Sequence, residues 1–127
     1  MDIFFQDPDV VPLPPSEVRI KEIRVEPWPD GRRVRVYLEL TPFQKRPDGD
    51  IIITNTQGEE LANVSFIETI NPMMEFTLHL HGAELIGPFT VNARVFYTNR
   101  FESGEQINLQ PEVMLVDQAG ANFNLPT

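Results

Sequence analysis

The sequence predicts an all-β domain, a seven-stranded antiparallel sandwich, on three observations. Apolar residues alternate with polar ones in most stretches between turns, and the turns fall at roughly even spacing. Twelve prolines and seven glycines punctuate 127 residues, which leaves little room for long helices. No helix is needed to place any apolar residue, and short alternating strands of this kind bury their apolar faces by packing as two sheets. The length fits one domain, since domains cluster at about 100–150 residues.

Residues 1–16 read as an extended, proline-rich N-terminal arm. Asp7-Pro8-Asp9 is followed by Val10-Val11-Pro12-Leu13-Pro14-Pro15, a density of proline that favours polyproline II. The sandwich is expected over residues 17–118, with residues 119–127 as a C-terminal tail. In the first strand Val18 and Ile20 share a face, and the apolar phase then slips to Ile23 and Val25. A slip of one residue reverses the faces, which predicts a bulge near Lys21-Glu22. Trp28-Pro29-Asp30-Gly31 is a turn, because proline presets φ and Asp-Gly tolerates positive φ. The clearest strand is Arg32 to Thr41, with Val34, Val36, Leu38 and Leu40 opposite Arg33, Arg35, Tyr37 and Glu39.

Pro42 ends that strand, and Pro47-Asp48-Gly49-Asp50 reads as a second turn before the β-branched run Ile51-Ile52-Ile53-Thr54. The next segment, residues 59–68, has two readings. Thr56-x-x-Glu59 resembles a helix capping box, and Leu61, Val64 and Ile67 have helical spacing. A glycine-containing turn, Asn55-Thr56-Gln57-Gly58, joins the segment to a strand, so a strand is the preferred reading. Met74 to Leu80 and Phe89 to Thr98 alternate cleanly. Ile107 to Val116 is interrupted by Pro111, which suits an edge strand, and Gly120 to Thr127 read as a loose tail.

Three stretches are similar to bacterial immunoglobulin-like domains. Ile51-x-Ile53-x-Asn55-x-x-Gly58-Glu59-x-Leu61-Ala62 resembles their central hairpin, and Met74-x-Phe76-x-Leu78-x-Leu80 resembles their fifth strand. Gly87-Pro88-Phe89-Thr90-Val91 with Ala93, Val95 and Tyr97 resembles the sixth. The resemblance spans residues 18 to 118 and implies a Greek-key sandwich of immunoglobulin or fibronectin type III kind. The chain departs from antibody-type domains in having no cysteine pair and in placing its one tryptophan, Trp28, in an early turn.

Composition narrows function. With no cysteine there is no disulfide framework, thiolate zinc site or cysteine nucleophile. A formal net charge of -9 argues against general nucleic-acid binding, which requires phosphate neutralisation. There is no apolar run of about 18 residues, and the start Met1-Asp2-Ile3-Phe4-Phe5-Gln6-Asp7 is acidic where a secretion signal is basic. The expectation is a soluble, cytoplasmic protein without membrane insertion. No serine lies in Gly-x-Ser-x-Gly and no phosphate-binding glycine loop is present, so no enzymatic activity and no cofactor are expected.

His79-Leu80-His81 puts two imidazoles on one face of a strand, with Glu75 and Thr77 beside them. A metal site of two histidines with Glu75 or Glu84 is the sharper reading, and a cupin motif has a similar order with wider spacing and a third histidine. The plainer reading leaves both histidines facing water. Asp48-Gly49-Asp50 supplies too few oxygens for calcium and reads as turn chemistry.

Charge is unevenly placed. Residues 17–46 carry +3, residues 1–16 carry -3, and residues 47–127 carry -9. If the first, second and fifth strands share a sheet, Arg33 and Arg35 lie near Glu75, and ordinary cross-strand ion pairing is preferred to a partner-binding basic stripe. On the other sheet Ile52, Phe96 and Met114 or Val116 are expected to form an outward apolar patch, a frequent mark of an interface. The expected function is therefore a non-catalytic protein–protein interaction or assembly module. Ile52, Phe96 and Met114 are its contacts, and Phe4, Phe5 and Leu13 an arm that docks on self or on a partner, strand addition being a recognised mode. The alternative is a metal or small-ligand binding domain built on His79 and His81. A third reading, a protease inhibitor presenting Gly82–Pro88, rests on exposed loops alone.

Overall fold

Period-two alternation sends every second side chain to one face of a strand, and burial along the chain follows that rule. The computed structural model describes residues 11–82, 85–99 and 112–125. Its strands are β1 (Ile20–Pro27), β2 (Arg33–Leu40), β3 (Asp48–Thr54), β4 (Glu60–Phe66), β5 (Met73–His79), β6 (Phe89–Asn99) and β7 (Glu112–Phe123). They form two antiparallel sheets, ordered β1-β2-β5 and β4-β3-β6-β7. The chain crosses between sheets at β2–β3, β4–β5 and β5–β6, which makes a Greek-key sandwich. A 3-10 turn, Pro15–Glu17, precedes β1, and among the described residues no helix is long and apolar enough to cross a membrane.

The core lies between the inner faces. Val34, Val36, Leu38 and Leu40 of β2 are buried, and the register places Leu78, Phe76 and Met74 of β5 opposite the first three. From the other sheet come Ile51 and Ile53 of β3 and the inward row Phe89, Val91, Ala93, Val95 and Tyr97 of β6. Two ring pairs help fill the space: Phe66 and Phe76 stack at 6.1 Å, and Phe89 and Phe123 at 5.4 Å. Burying each large aliphatic side chain is worth about 1.5–3 kcal/mol. The β1–β7 side is tied by the Ile20 amide, which donates to Asp117 Oδ2 at 2.8 Å. The β4–β5 side is tied by the His81 amide, which donates to the Leu61 carbonyl at 2.9 Å.

Local details agree with several expectations. The β1–β2 register shifts between Ile20 and Glu22, where the phase slip lies. Residues 60–66 form a strand, and the preceding turn is organised by Asn55 in place of a capping box. Asn55 Oδ1 accepts from the Gln57 and Glu59 amides at 3.0 and 2.9 Å.

Two expectations are corrected. Asp48-Gly49-Asp50 is not a turn but the start of β3: Asp48 pairs with Phe96 and Gly49 with Phe66 and Val95, so cross-strand pairing overrides a local turn signature. The C-terminal tail expected from residue 119 is also strand. β7 continues to Phe123, because Ala119, Ala121 and Phe123 pair with the inward row of β6 and Phe123 is buried. Residues 107–111 of the last expected strand lie outside the described residues, as do Phe4 and Phe5.

Gly49 is required by close approach. A Cβ there would overlap the edge of the Phe66 ring, at Cζ and Cε2, and lie 2.6 Å from the Arg94 carbonyl oxygen. Gly49→Ala is expected to destabilise by about 1–3 kcal/mol in urea unfolding, the usual cost of overpacking. Adding Phe66→Leu should return part of that loss.

Candidate interaction surfaces

The outer face of β4-β3-β6-β7 carries two of the expected contact residues. Ile52 lies opposite Asn63 and Asn92, and Phe96 lies opposite Asp48 and Leu115. Four residues of strand, roughly 13 Å, separate them along the sheet. Between them runs the row of Asp50 and Arg94, a bidentate pair with Nε–Oδ1 at 3.0 Å and Nη2–Oδ2 at 2.5 Å. Asp50 holds the Arg94 guanidinium above its ordinary pKa. Met114 does not join Phe96. The β6–β7 register shifts between Val95 and Phe96, so Leu115 pairs with Phe96 while Met114 pairs with the inward-facing Tyr97. The single patch is thereby corrected to a divided face, with exposed Val113 and Leu115 beside Phe96 and a polar stretch around Ile52.

Leu13 is committed to its own domain. Its amide donates to the Pro42 carbonyl at 3.0 Å, its carbonyl accepts from the Gln44 amide at 2.9 Å, and it makes a parallel bridge to Phe43. Its side chain packs against the core.

His79 and His81 are both exposed and line the same two clefts. Glu75 is not with them. It sits opposite Tyr37, four residues from His79, and its carboxylate is 3.2 Å from Arg35 Nε. Glu84 lies outside the described residues. Among the described residues, no three His, Asp or Glu side chains come together in a metal-binding group.

The basic residues of β1 and β2 are largely neutralised in place. Lys21 pairs with Glu39 at 3.4 Å and Arg24 with Glu26 at 3.3 Å. Arg24 also lies 4.1 Å from the Tyr37 ring centroid, and Arg33 lies 4.1 Å from that of Trp28. Exposed pairs of this kind are worth little individually, but they leave no uninterrupted basic stripe.

The surface that sequence reasoning missed is the β4–β5 loop, residues 67–72. Ile67 is 69% exposed, Ile70 76%, and Met73 at the start of β5 64%. The backbone beneath them is firmly held. The Thr69 amide donates to the Pro47 carbonyl at 3.0 Å, and the Leu40 amide to the Pro72 carbonyl at 2.8 Å. Asn71 Oδ1 accepts from the Met73 amide at 2.9 Å. Glu68 adopts φ +47°, a left-handed conformation that costs a non-glycine residue about 1–3 kcal/mol.

Asp48 helps hold the loop in that shape. It is only 5% exposed; Oδ1 accepts from the Glu68 amide at 2.7 Å, and Oδ2 from Thr98 Oγ1 at 2.8 Å. Nearby, the Tyr97 hydroxyl donates to the Lys45 carbonyl at 2.7 Å. Burial, with the Asp48 charge, pushes the Tyr97 phenol up from 10.0 to about 12. The one sequence signal for the loop was Ile70 next to an Asn-Pro turn, an apolar residue with no strand to bury it.

The chain matches no protein-family model and no curated protein. Among solved structures it is similar to the FMN-binding β-glucuronidase of Facaelibacterium prausnitzii L2-6, with 18% identity, a TM-score of 0.49, and coverage of 81% of this chain and 14% of that one. The β-glucuronidase of Ruminococcus gnavus with D-glucaro-d-lactam gives 14% identity, a TM-score of 0.48, and coverage of 87% and 16%. A glycosyl hydrolase family 2 member from Bacteroides cellulosilyticus DSM 14838 gives 9% identity, a TM-score of 0.51, and coverage of 85% and 15%. This chain therefore spans 14–16% of these enzymes. At a TM-score of 0.51 and 9% identity, the likeness to the last of these is one of fold alone.

Two outcomes follow from the Asp48–Tyr97 region. Asp48→Ala leaves the Glu68 amide and Thr98 hydroxyl without this acceptor. It should cost on the order of 3 kcal/mol and speed amide exchange at Glu68 and Thr69 more than in β2. For Tyr97, the fold prefers the neutral phenol. Its contribution to stability is whole below pH 10.0 and is lost as pH rises through about 12. Tyrosinate absorbance from Tyr97 should rise only as pH approaches about 12, and Tyr97→Phe should remove that step together with the alkaline loss of stability.

Proposed function

We propose that this chain is a non-catalytic protein-interaction module whose principal contact is the β4–β5 loop with the start of β5. The carrying observation is that Ile67, Ile70 and Met73 are exposed on a backbone held by Asp48, Pro47 and Leu40. An exposed apolar group on a mobile loop loses much of its binding energy to ordering. Here the hydrogen bonds from Asp48, Pro47 and Leu40 lower the backbone ordering left for a partner to impose. Burying the three side chains against a complementary surface is worth about 1.5–3 kcal/mol each before the costs of association. Few other residues need contribute strongly, as interfaces concentrate their energy in a few buried anchors.

The neighbouring β2–β3 connection qualifies the partner. Lys45 and Arg46 are exposed there, next to the Pro47 carbonyl that receives the Thr69 amide. Neither forms an ion pair with a described residue. A protein surface with an apolar centre and carboxylates at its rim complements this arrangement, and rim charges of this kind act mainly on association rate.

Site-specific photocrosslinking in cells tests the reading. A photoreactive residue replacing Ile70 should trap a discrete adduct, and Ile67→Asp in the same chain should abolish it. The same group replacing Gln57, in the exposed turn at the other end of the sandwich, should not. Equal crosslinking from both positions would overturn the proposal.

A further inference from the structure

At the end of the sandwich opposite the β4–β5 loop, the turn after β1 meets the residues that follow β5. Trp28-Pro29-Asp30-Gly31 is closed by the Gly31 amide, which donates to the Trp28 carbonyl at 3.2 Å, with Gly31 at φ +72°. The turn delivers Arg32 and Arg33 to one cleft of about 360 Å³, lined by Asp30, Arg32, Arg33, His79, Leu80 and His81. His79 reaches it because β2–β5 register sets it directly opposite Arg33.

Both guanidiniums are held in place by the protein. Arg32 donates from Nη1 to the Leu80 carbonyl at 3.0 Å and from Nη2 to the Gly82 carbonyl at 3.1 Å. Arg33 stacks on Trp28 and donates from Nε to Asp30 Oδ2 at 2.6 Å. Asp30 is the only carboxylate lining the cleft among the described residues, and it is already engaged: its Oδ1 also accepts from the Arg32 and Arg33 amides at 2.9 and 3.1 Å. The Arg32 amide and the Arg33 side chain hold its pKa at about 2, so it stays ionised as their anchor.

What remains is a surplus of donors. The terminal nitrogens of Arg33 have no hydrogen-bond acceptor among the described residues, and neither imidazole is hydrogen-bonded to a described group. Two cations against one carboxylate give the cleft a positive balance in a chain of net charge -9. A planar guanidinium with both terminal nitrogens open suits an oxyanion, which it grips with two parallel hydrogen bonds.

We infer that this cleft binds a small ligand through an oxyanion, a phosphate or a carboxylate group. Arg33 grips the anion, His79 and His81 flank it, and Asp30 is a positioning residue that aims Arg33. The site is distinct from the β4–β5 loop and does not depend on the function proposed for it.

Calorimetric titration of the full chain at constant ionic strength tests this, with inorganic phosphate, pyrophosphate and malonate as separate probes. Saturable binding is expected for at least one. Arg33→Ala and His79→Ala should each weaken it by about tenfold or more. Arg33→Lys, which keeps the charge but loses the fork, should weaken it by several-fold. Arg94→Ala, on the far sheet, should leave it unchanged. Binding of the phosphates alone or of malonate alone identifies the class of ligand. Circular dichroism and thermal melting confirm that each variant is folded, and His79, exposed and without a side-chain hydrogen bond to a described group, serves where Arg33→Ala does not fold. The inference fails if no probe saturates, or if Arg94→Ala weakens binding as much as Arg33→Ala.

Discussion

β3 is the element on which the rest of the structure depends. It pairs with β4 on one side and β6 on the other, so Gly49 to Thr54 each answer to two neighbours at once. Ile51 and Ile53 fill the core from it, and Gly49 lets Phe66 lie across the backbone. Asp48, at its start, turns a buried carboxylate into a fastening for the β4–β5 loop. A buried acidic group is costly unless hydrogen-bonded. Here the bonds that satisfy the carboxylate also hold the loop that displays Ile67 and Ile70. Core and candidate contact surface are thus consequences of one strand placement.

The surface follows a similar economy. Lys21 and Arg24 of β1 and Arg35 of β2 are matched within a strand or across a pair, through Glu39, Glu26 and Glu75. The two ends of the sandwich escape this pattern in opposite ways. One end presents large apolar side chains on a held backbone. The other presents guanidinium and imidazole donors in a cleft. Loops carried by a rigid sandwich commonly hold its function, and here the loops at the two ends differ in chemistry.

Alternation made most of the architecture legible from residues alone. β2, β5 and β6 each contain a run of inward apolar residues long enough to outweigh any helical reading, and the phase slip after Ile20 reveals its bulge. Turn chemistry was less dependable. Trp28-Pro29-Asp30-Gly31 does turn, while Pro47-Asp48-Gly49-Asp50, with similar residues, enters a central strand. The difference lies in what surrounds each segment: the second has β4 and β6 to pair with, and those hydrogen bonds are invisible to a local reading. The continuation of β7 through Gly120 was hidden for the same reason, since glycine and alanine have low strand propensity until β6 lies beside them.

A β-sandwich without a cysteine-based site, acidic in balance and with a proline-rich approach to its first strand, was readable along the chain. These follow from composition and from the period of the chain, which are local properties. Which side chains meet was set by the packed fold. It split Ile52 from Phe96 by interposing the Asp50–Arg94 pair, turned Met114 away through a bulge, and drew Glu75 to Arg35 and away from the histidines. It also placed His79 opposite Arg33, forty-six positions earlier in the chain. Faces and clefts depend on strand register, and register is set by pairing between distant segments, which no single stretch of sequence contains.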